Sequence, residues 1–182
     1  EKLSATESKM EALRNITERY DGYGNSIRRV MEQKQWNPGI IGVVADIITV
    51  NQKYEVAVET ALGGSIQNIV TEDDATAKRM ISYLKTNRLG RATFLPRNTI
   101  TDRGSVKNDV LREKGVIGVA SDLVEVDSKF NTLVKNLLGR ILVVDNIDNA
   151  LAVARKNNQS LRLVTIEGEL INPGGSMTGG AF

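Results

Sequence analysis

Three groups of residues in this chain have the types and spacing that chemistry would need. The first is Asp46 and Asp122, which stand at matching positions of an internal repeat. A symmetric carboxylate pair facing one cleft would suit acid–base work or a divalent cation. The commoner role for such an aspartate is to break a strand or to cap a nearby backbone amide. The second group is a basic block. Residues 76–114 hold ten cations (Lys78, Arg79, Lys85, Arg88, Arg91, Arg97, Arg103, Lys107, Arg112, Lys114) against Asp102, Asp109 and Glu113, a net 10 − 3 = +7. The remainder carries 14 − 19 = −5, so the overall +2 hides the contrast. A positive surface of that size attracts nucleic acid by neutralising phosphates. With only Tyr83 and Phe94 among its aromatics, it favours backbone attraction over base stacking. The alternative is a solvated helix face and loop. Arg28 and Arg29 either extend that surface or solvate their own helix.

The third group is the glycine-rich run Asn172-Pro173-Gly174-Gly175-Ser176-Met177-Thr178-Gly179-Gly180. A phosphate cradle is a poor fit, because no GxxxxGK[ST] pattern exists and no Lys or Arg follows Arg162. Paired glycines also let two backbones approach closely, as where a strand edge meets another chain. A flexible linker is the plain alternative, which Met177 and the strand-like Glu169–Ile171 make less attractive.

Composition removes much other chemistry. The 182 residues include no Cys and no His. Ser-His-Asp triads, cysteine nucleophiles, thiolate or imidazole metal sites and disulfide frameworks are therefore excluded. An enzyme built from this sequence would be left with carboxylate, lysine or hydroxyl chemistry. The lack of Cys is compatible with the cytosol. The most apolar stretch, Ile40–Val50, is short and carries Asp46, far from a span of about 20 apolar residues. Nothing near Glu1 resembles a signal peptide, and the chain reads as a piece of a longer protein.

The elements that would position these groups follow from periodicity. Leu3, Thr6, Met10, Leu13, Thr17 and Tyr20 alternate at spacings of three and four, the seam of a coiled-coil helix or of an amphipathic surface helix. After Asp21–Asn25, Ser26–Gln35 reads as a second helix, stopped at Asn37-Pro38-Gly39. From Gly42 the chain repeats itself at a shift of 118 − 42 = 76. Gly42/Gly118, Val43/Val119, Asp46/Asp122, Val50/Val126, Lys53/Lys129, Val58/Val134, Leu62/Leu138 and Gly63/Gly139 are identical.

Each copy predicts an extended run (Gly42–Val50; Gly118–Val126), a helix closed by glycine (Tyr54–Leu62; Phe130–Leu138) and a β-branched strand (Ile66–Val70; Ile141–Val144). A longer helix with an acidic start follows (Ala75–Asn87; Asn149–Asn157), then another strand (Ala92–Leu95; Leu161–Ile166). The expected fold is mixed α+β, with two pseudo-repeated subdomains carrying small mixed sheets. The expected division is an N-terminal helix stub at 1–22, a first subdomain with linker at 23–114 and a second at 115–182.

Taken together, Gly90-Arg91-Ala92-Thr93-Phe94-Leu95-Pro96, Ala61-Leu62-Gly63-Gly64, Leu138-Gly139-Arg140 with Ile141–Val144, and the terminal glycine run resemble the hinge domain of structural maintenance of chromosomes (SMC) proteins. The resemblance is to the bacterial condensin type and covers roughly residues 23–182. It implies that residues 1–22 end an incoming coiled-coil arm and that the domain forms a two-fold homodimer. In that dimer a strand of one subdomain would join the partner's other subdomain. On the matching positions, Gly174, Gly175, Met177, Gly179 and Gly180 would sit at the interface. The resemblance also implies sequence-independent DNA binding, for which Lys85, Arg88 and Arg91 are the first candidates and Arg28, Arg29, Lys78 and Arg79 the second. Catalytic residues, cofactor, metal, membrane and small-molecule substrate are not expected for this piece. ATP binding would belong to distant head domains of a cytoplasmic, nucleoid-associated protein. The competing expectation is a ligand-binding or enzymatic duplicated α/β domain using Asp46 and Asp122.

Overall fold

A computed structural model describes residues 23–181, so the helical seam expected at 1–22 lies outside the described residues. Helix α1 (Asn25–Glu32) precedes strand β1 (Ile40–Val43), a single helical turn α2 (Val44–Ile47) and β2 (Thr49–Val50). Then come α3 (Glu55–Leu62), β3 (Ile69–Thr71), α4 (Asp74–Thr86) and β4 (Phe94–Pro96). The second copy runs β5 (Val116–Val119), β6 (Val124–Glu125), α5 (Asn131–Leu138), β7 (Ile141–Val144), α6 (Ile147–Lys156) and β8 (Arg162–Thr165). Two further strands, β9 (Leu170–Ile171) and β10 (Met177–Thr178), close the chain. The fold is mixed α+β with small sheets, as the sequence led one to expect.

The duplication extends into backbone detail. Strand β1 stands 116 − 40 = 76 residues before β5, and α3 and α5 keep the same shift. Both β1 and β5 pair antiparallel with the next core strand, and both slip register in the middle, at Ile40/Gly42 and at Val116/Gly118. Helices α4 and α6 begin on equivalent caps, in which the Asp73 carboxylate accepts from Thr76 N–H and the Asn146 amide oxygen from Asn149 N–H. Both end alike too. The Asn87 and Asn157 side chains donate back to the carbonyls of Tyr83 and Val153, and left-handed Arg88 (φ 52°) and Asn158 (φ 57°) follow.

The extended runs expected at Gly42–Val50 and Gly118–Val126 are each broken in the middle. Helical turns at Val44–Ile47 and Ala120–Leu123 divide them. In the first copy Asp46 Oδ2 accepts from Val43 N–H at 3.1 Å, which fastens the turn to the end of β1. The carboxylate folds back over Gly42, where a Cβ would come within 2.9 Å of it.

The chain forms two compact units. One comprises residues up to Asp46 and Gln67–Thr99, the other Ile47–Ile66 and Ile100–Phe182. The expected boundary at 114/115 therefore differs from the compact division at 99/100, and residues 47–66 belong with the second unit. Two contacts draw them there: β2 pairs antiparallel with its own repeat equivalent β6 (Val50↔Val124), and α3 packs on α5 and β8.

In the first unit the sheet order is β1-β3-β4, with β3 and β4 parallel. Its core gathers Val30 and Met31 from α1, Ile40, Val43 and Ile69 from the strands, and Met80 and Leu84 from α4. In the second unit the order is β10-β9-β8-β7-β5. All four residues of β7 are buried, as a central strand covered on both faces requires. There Val110, in a 3-10 turn at Val110–Arg112, occupies the place before the first strand that α1 fills in the other unit.

Candidate functional site

The glycine-rich run is an ordered hairpin. Strands β9 and β10 pair antiparallel with Ile171 opposite Met177 and Leu170 opposite Thr178. The turn between them is fastened by Asn172 N–H to the Ser176 carbonyl and Gly175 N–H to the Asn172 carbonyl, both at 2.9 Å. Gly174 N–H donates outward to the Gln159 carbonyl at 2.7 Å, tying the turn to the end of α6. Gly174 (φ 91°) and Gly175 (φ 102°) adopt backbone that side-chain-bearing residues rarely enter. Gly179 lies over Glu169, whose Cγ a Cβ would approach to 3.2 Å, while a Cβ at Gly180 would meet open space. Strand β10 is the outer strand of its sheet, and Met177 upon it is 49% exposed. In the first unit the corresponding open edge belongs to β4. The segments around β4 are tied down by an Arg97–Glu72 ion pair and by a reciprocal pair of hydrogen bonds between Asn98 and Asp74.

The basic block is divided between the two units. Its part up to Thr99 (Lys78, Arg79, Lys85, Arg88, Arg91, Arg97) lies in the first unit and contains no acid, a charge of +6. Its remainder, four cations and three acids, lies in the second unit at +1. All seven candidate DNA residues belong to the first unit. Lys78 and Lys85 share a face of α4 with exposed Ile81, and Arg88 and Arg91 follow in the loop beyond the helix. Ser26 Oγ donates to the Arg91 carbonyl at 2.7 Å, which brings the start of α1 beside that loop.

Other members of the set are engaged within the unit. Arg29 faces Glu32 at 3.7 Å, and the Tyr83 hydroxyl, more than Glu32, holds its guanidinium still more firmly in the charged form. Arg79 donates to Thr76 Oγ1 and Arg28 to Asn25 Oδ1. Lys85, Arg88 and Arg91 are exposed and form no ion pair among the described residues.

The two aspartates belong to different units. Asp46 belongs to the first unit and serves the Val43 amide; Asp122 lines a shallow depression of the second unit with Ser121, Glu125 and Lys135. The first-copy lock between Gly42 and the Asp46 side chain is not repeated, since a Cβ at Gly118 would only touch Leu123 at 4.0 Å. No helix among the described residues is long and apolar enough to cross a membrane.

The described residues thus form a duplicated α+β body whose last strand lies at a sheet edge. The chain belongs to the SMC hinge family: the model of the SMC proteins Flexible Hinge Domain matches residues 37–154. It is 42% identical over 182 residues to the chromosome partition protein Smc of Lactiplantibacillus plantarum, covering 98% of this chain and 15% of that protein. The Bacillus subtilis protein of the same name is 41% identical over 177 residues, with 96% and 15% covered. The chain thus spans about 15% of the length of these relatives.

Among solved structures, the Geobacillus stearothermophilus SMC hinge domain, crystallised as an asymmetric dimer, superposes with a TM-score of 0.85 at 36% identity. It covers 98% of this chain and 74% of that one. The Pyrococcus furiosus hinge domain gives 0.72 at 37% identity, with 96% and 90% covered.

Proposed function

We propose that this chain is the homodimerisation hinge of a chromosome-partition protein, closing a ring by pairing strands between two copies. The observation that carries this reading is the open edge of β10, a hairpin strand with a half-exposed methionine at the rim of a five-stranded sheet. Free strand edges are normally blunted by charge, proline or a covering loop; one left open serves a partner strand. Among the remaining sheet edges, β4 offers ladder positions at Phe94 and Leu95, with Pro96 ending the strand, so two reciprocal β10–β4 pairings would satisfy two-fold symmetry. Met177, Gly179 and Gly180 lie in or beside the pairing strand, while Gly174 and Gly175 shape the turn that presents it. The hinge itself catalyses nothing. ATP turnover belongs to head domains elsewhere in a cytoplasmic, nucleoid-associated protein.

Sedimentation at micromolar concentration tests the assembly. The wild-type chain should run as a dimer, and Met177→Lys should run as a folded monomer, because a charged edge strand resists pairing. A wild-type monomer, or a Met177→Lys dimer of unchanged affinity, would show that the pairing edge lies elsewhere.

DNA binding without sequence reading is a second activity, favoured by the five cations Lys78, Arg79, Lys85, Arg88 and Arg91 on α4 and the loop after it. Lys85, Arg88 and Arg91 carry it, with Lys78, Arg79, Arg28 and Arg29 at the margin. Replacing Lys85, Arg88 and Arg91 by Glu should weaken duplex binding and lower the salt dependence by roughly one counterion per lost phosphate contact. Unaltered binding by that triple variant removes the patch from consideration.

A further inference from the structure

The second unit contains a half-open cleft of about 660 Å³ that none of the candidate residues above lines. Five cationic side chains surround it and no carboxylate does. Arg103 and Lys107 come from the loop before the 3-10 turn, Arg140 from the residue after the α5 cap, Lys156 from the last turn of α6, and Arg162 from the first residue of β8. These positions span some sixty residues of sequence, so chain closure collects the charges. Among the described residues none of the five has an ion-pair partner. Glu113, an acid close by, is held by the Asn157 amide at 3.0 Å and does not line the cleft. The floor includes apolar Val110 and Ile141, both nearly buried.

Ordinary structural roles account for part of this set. Arg140 and Lys156 stand at helix C-termini, where a cation is favoured by about 0.3–1 kcal/mol. That explanation does not reach Arg103 and Lys107 on the loop or Arg162 at the start of a strand. Nor does it explain why the charges ring a concavity, where low-dielectric walls focus one sign of field and like charges repel. The first unit offers a control. There the position before the first strand is filled by α1, which buries Val30 and Met31. Here a three-residue turn takes its place, and the cleft opens beside it.

We infer that this cleft is a separate anion site for a ligand carrying several consecutive phosphates. Its volume lies within the range of ligand sites, about 300–1,000 Å³. Five dispersed cations match a run of charges better than one small anion, and Arg supplies paired donors to each phosphate. A nucleic-acid strand and a free nucleoside polyphosphate share that chemistry. None of the residues assigned above to the α4 surface or to the β10 strand lines it.

Calorimetric titration of inorganic tripolyphosphate into the full chain at low salt tests it. One ion should bind per chain, and the Arg140→Gln/Arg162→Gln variant should bind about tenfold more weakly or worse, the scale of one or two charge-assisted bonds. Lys85→Gln/Arg88→Gln should bind as wild type. Arg103→Gln/Lys107→Gln, altered only in the loop, should repeat the loss if the first variant folds poorly. No binding at millimolar tripolyphosphate, or equal binding in both cleft variants, overturns the site. A labelled oligothymidine then identifies the source. Displacement by tripolyphosphate with lost affinity in the cleft variants marks a nucleic-acid strand; strand affinity indifferent to those variants marks a free polyphosphate.

Discussion

The two units are built on one repeated plan and differ in what was added to it. Both have an antiparallel then a parallel strand pair, the same bulge, an Asx-type helix cap and an asparagine that closes the longer helix. The first unit places an eight-residue helix ahead of its sheet and stops at three strands. The second begins with a short 3-10 turn, adds the β9–β10 hairpin and takes in α3 from the other copy. The additions fall where function is proposed. The scaffold was kept and its edges diverged, so what an edge or flank does cannot be inferred from its counterpart.

The comparison is tested most strongly by the elements ahead of each first strand. Met31, 1% exposed on α1, should cost about 2–5 kcal/mol on replacement by Ala. Val110→Ala removes less from a smaller element and should cost about 1.5 kcal/mol. Urea midpoints read both, and equal losses would mean that the two flanks are equivalent after all.

The closing asparagines should separate less widely. Asn87→Ala removes one exposed hydrogen bond to a backbone carbonyl, at about 0.5–1.5 kcal/mol. Asn157→Ala also strips the Glu113 carboxylate of a donor in a half-buried site and should cost about 1.5–3 kcal/mol. Thermal unfolding of the two variants side by side gives the order.

The smallest expected effect concerns the caps. Hydrogen bonds from the Thr76 hydroxyl, then from the Thr76 amide, hold the Asp73 carboxyl below its ordinary 3.8. A lowered folded pKa means that the cap's contribution is complete above 3.8 and is lost as pH falls through the lower folded value. Asn146 caps the second unit without titrating. Asp73→Asn should therefore retain the cap and flatten the acid limb of the stability curve. A limb unchanged from wild type would place the acid sensitivity in other carboxylates.

Much of this was legible because its causes are short-ranged. The helix starts at Asp73 and Asn146, the glycine closures at Gly63 and Gly139 and the strand Ile141–Val144 depend on neighbours within a few residues, and the repeat displays them twice. The break inside Gly42–Val50 is not legible in the apolar run, although Asp46 is of the type that breaks strands. An apolar run gives no sign of the residue at which a side chain will turn back onto its own backbone. The glycine run signals a place of close approach, and two of its glycines, Gly174 and Gly175, first make a turn.

By itself the sequence determined the family, the duplicated plan and the contrast hidden in its +2 charge, since periodicity, caps and composition are local or additive. Only tertiary structure decided how that contrast is distributed. The contiguous +7 block divides into +6 on one unit and +1 on the other. Arg140, Lys156 and Arg162, unremarkable as a sequence, meet Arg103 and Lys107 around one cleft. Coulombic fields follow distance in space, and distance in space is set by which strands pair.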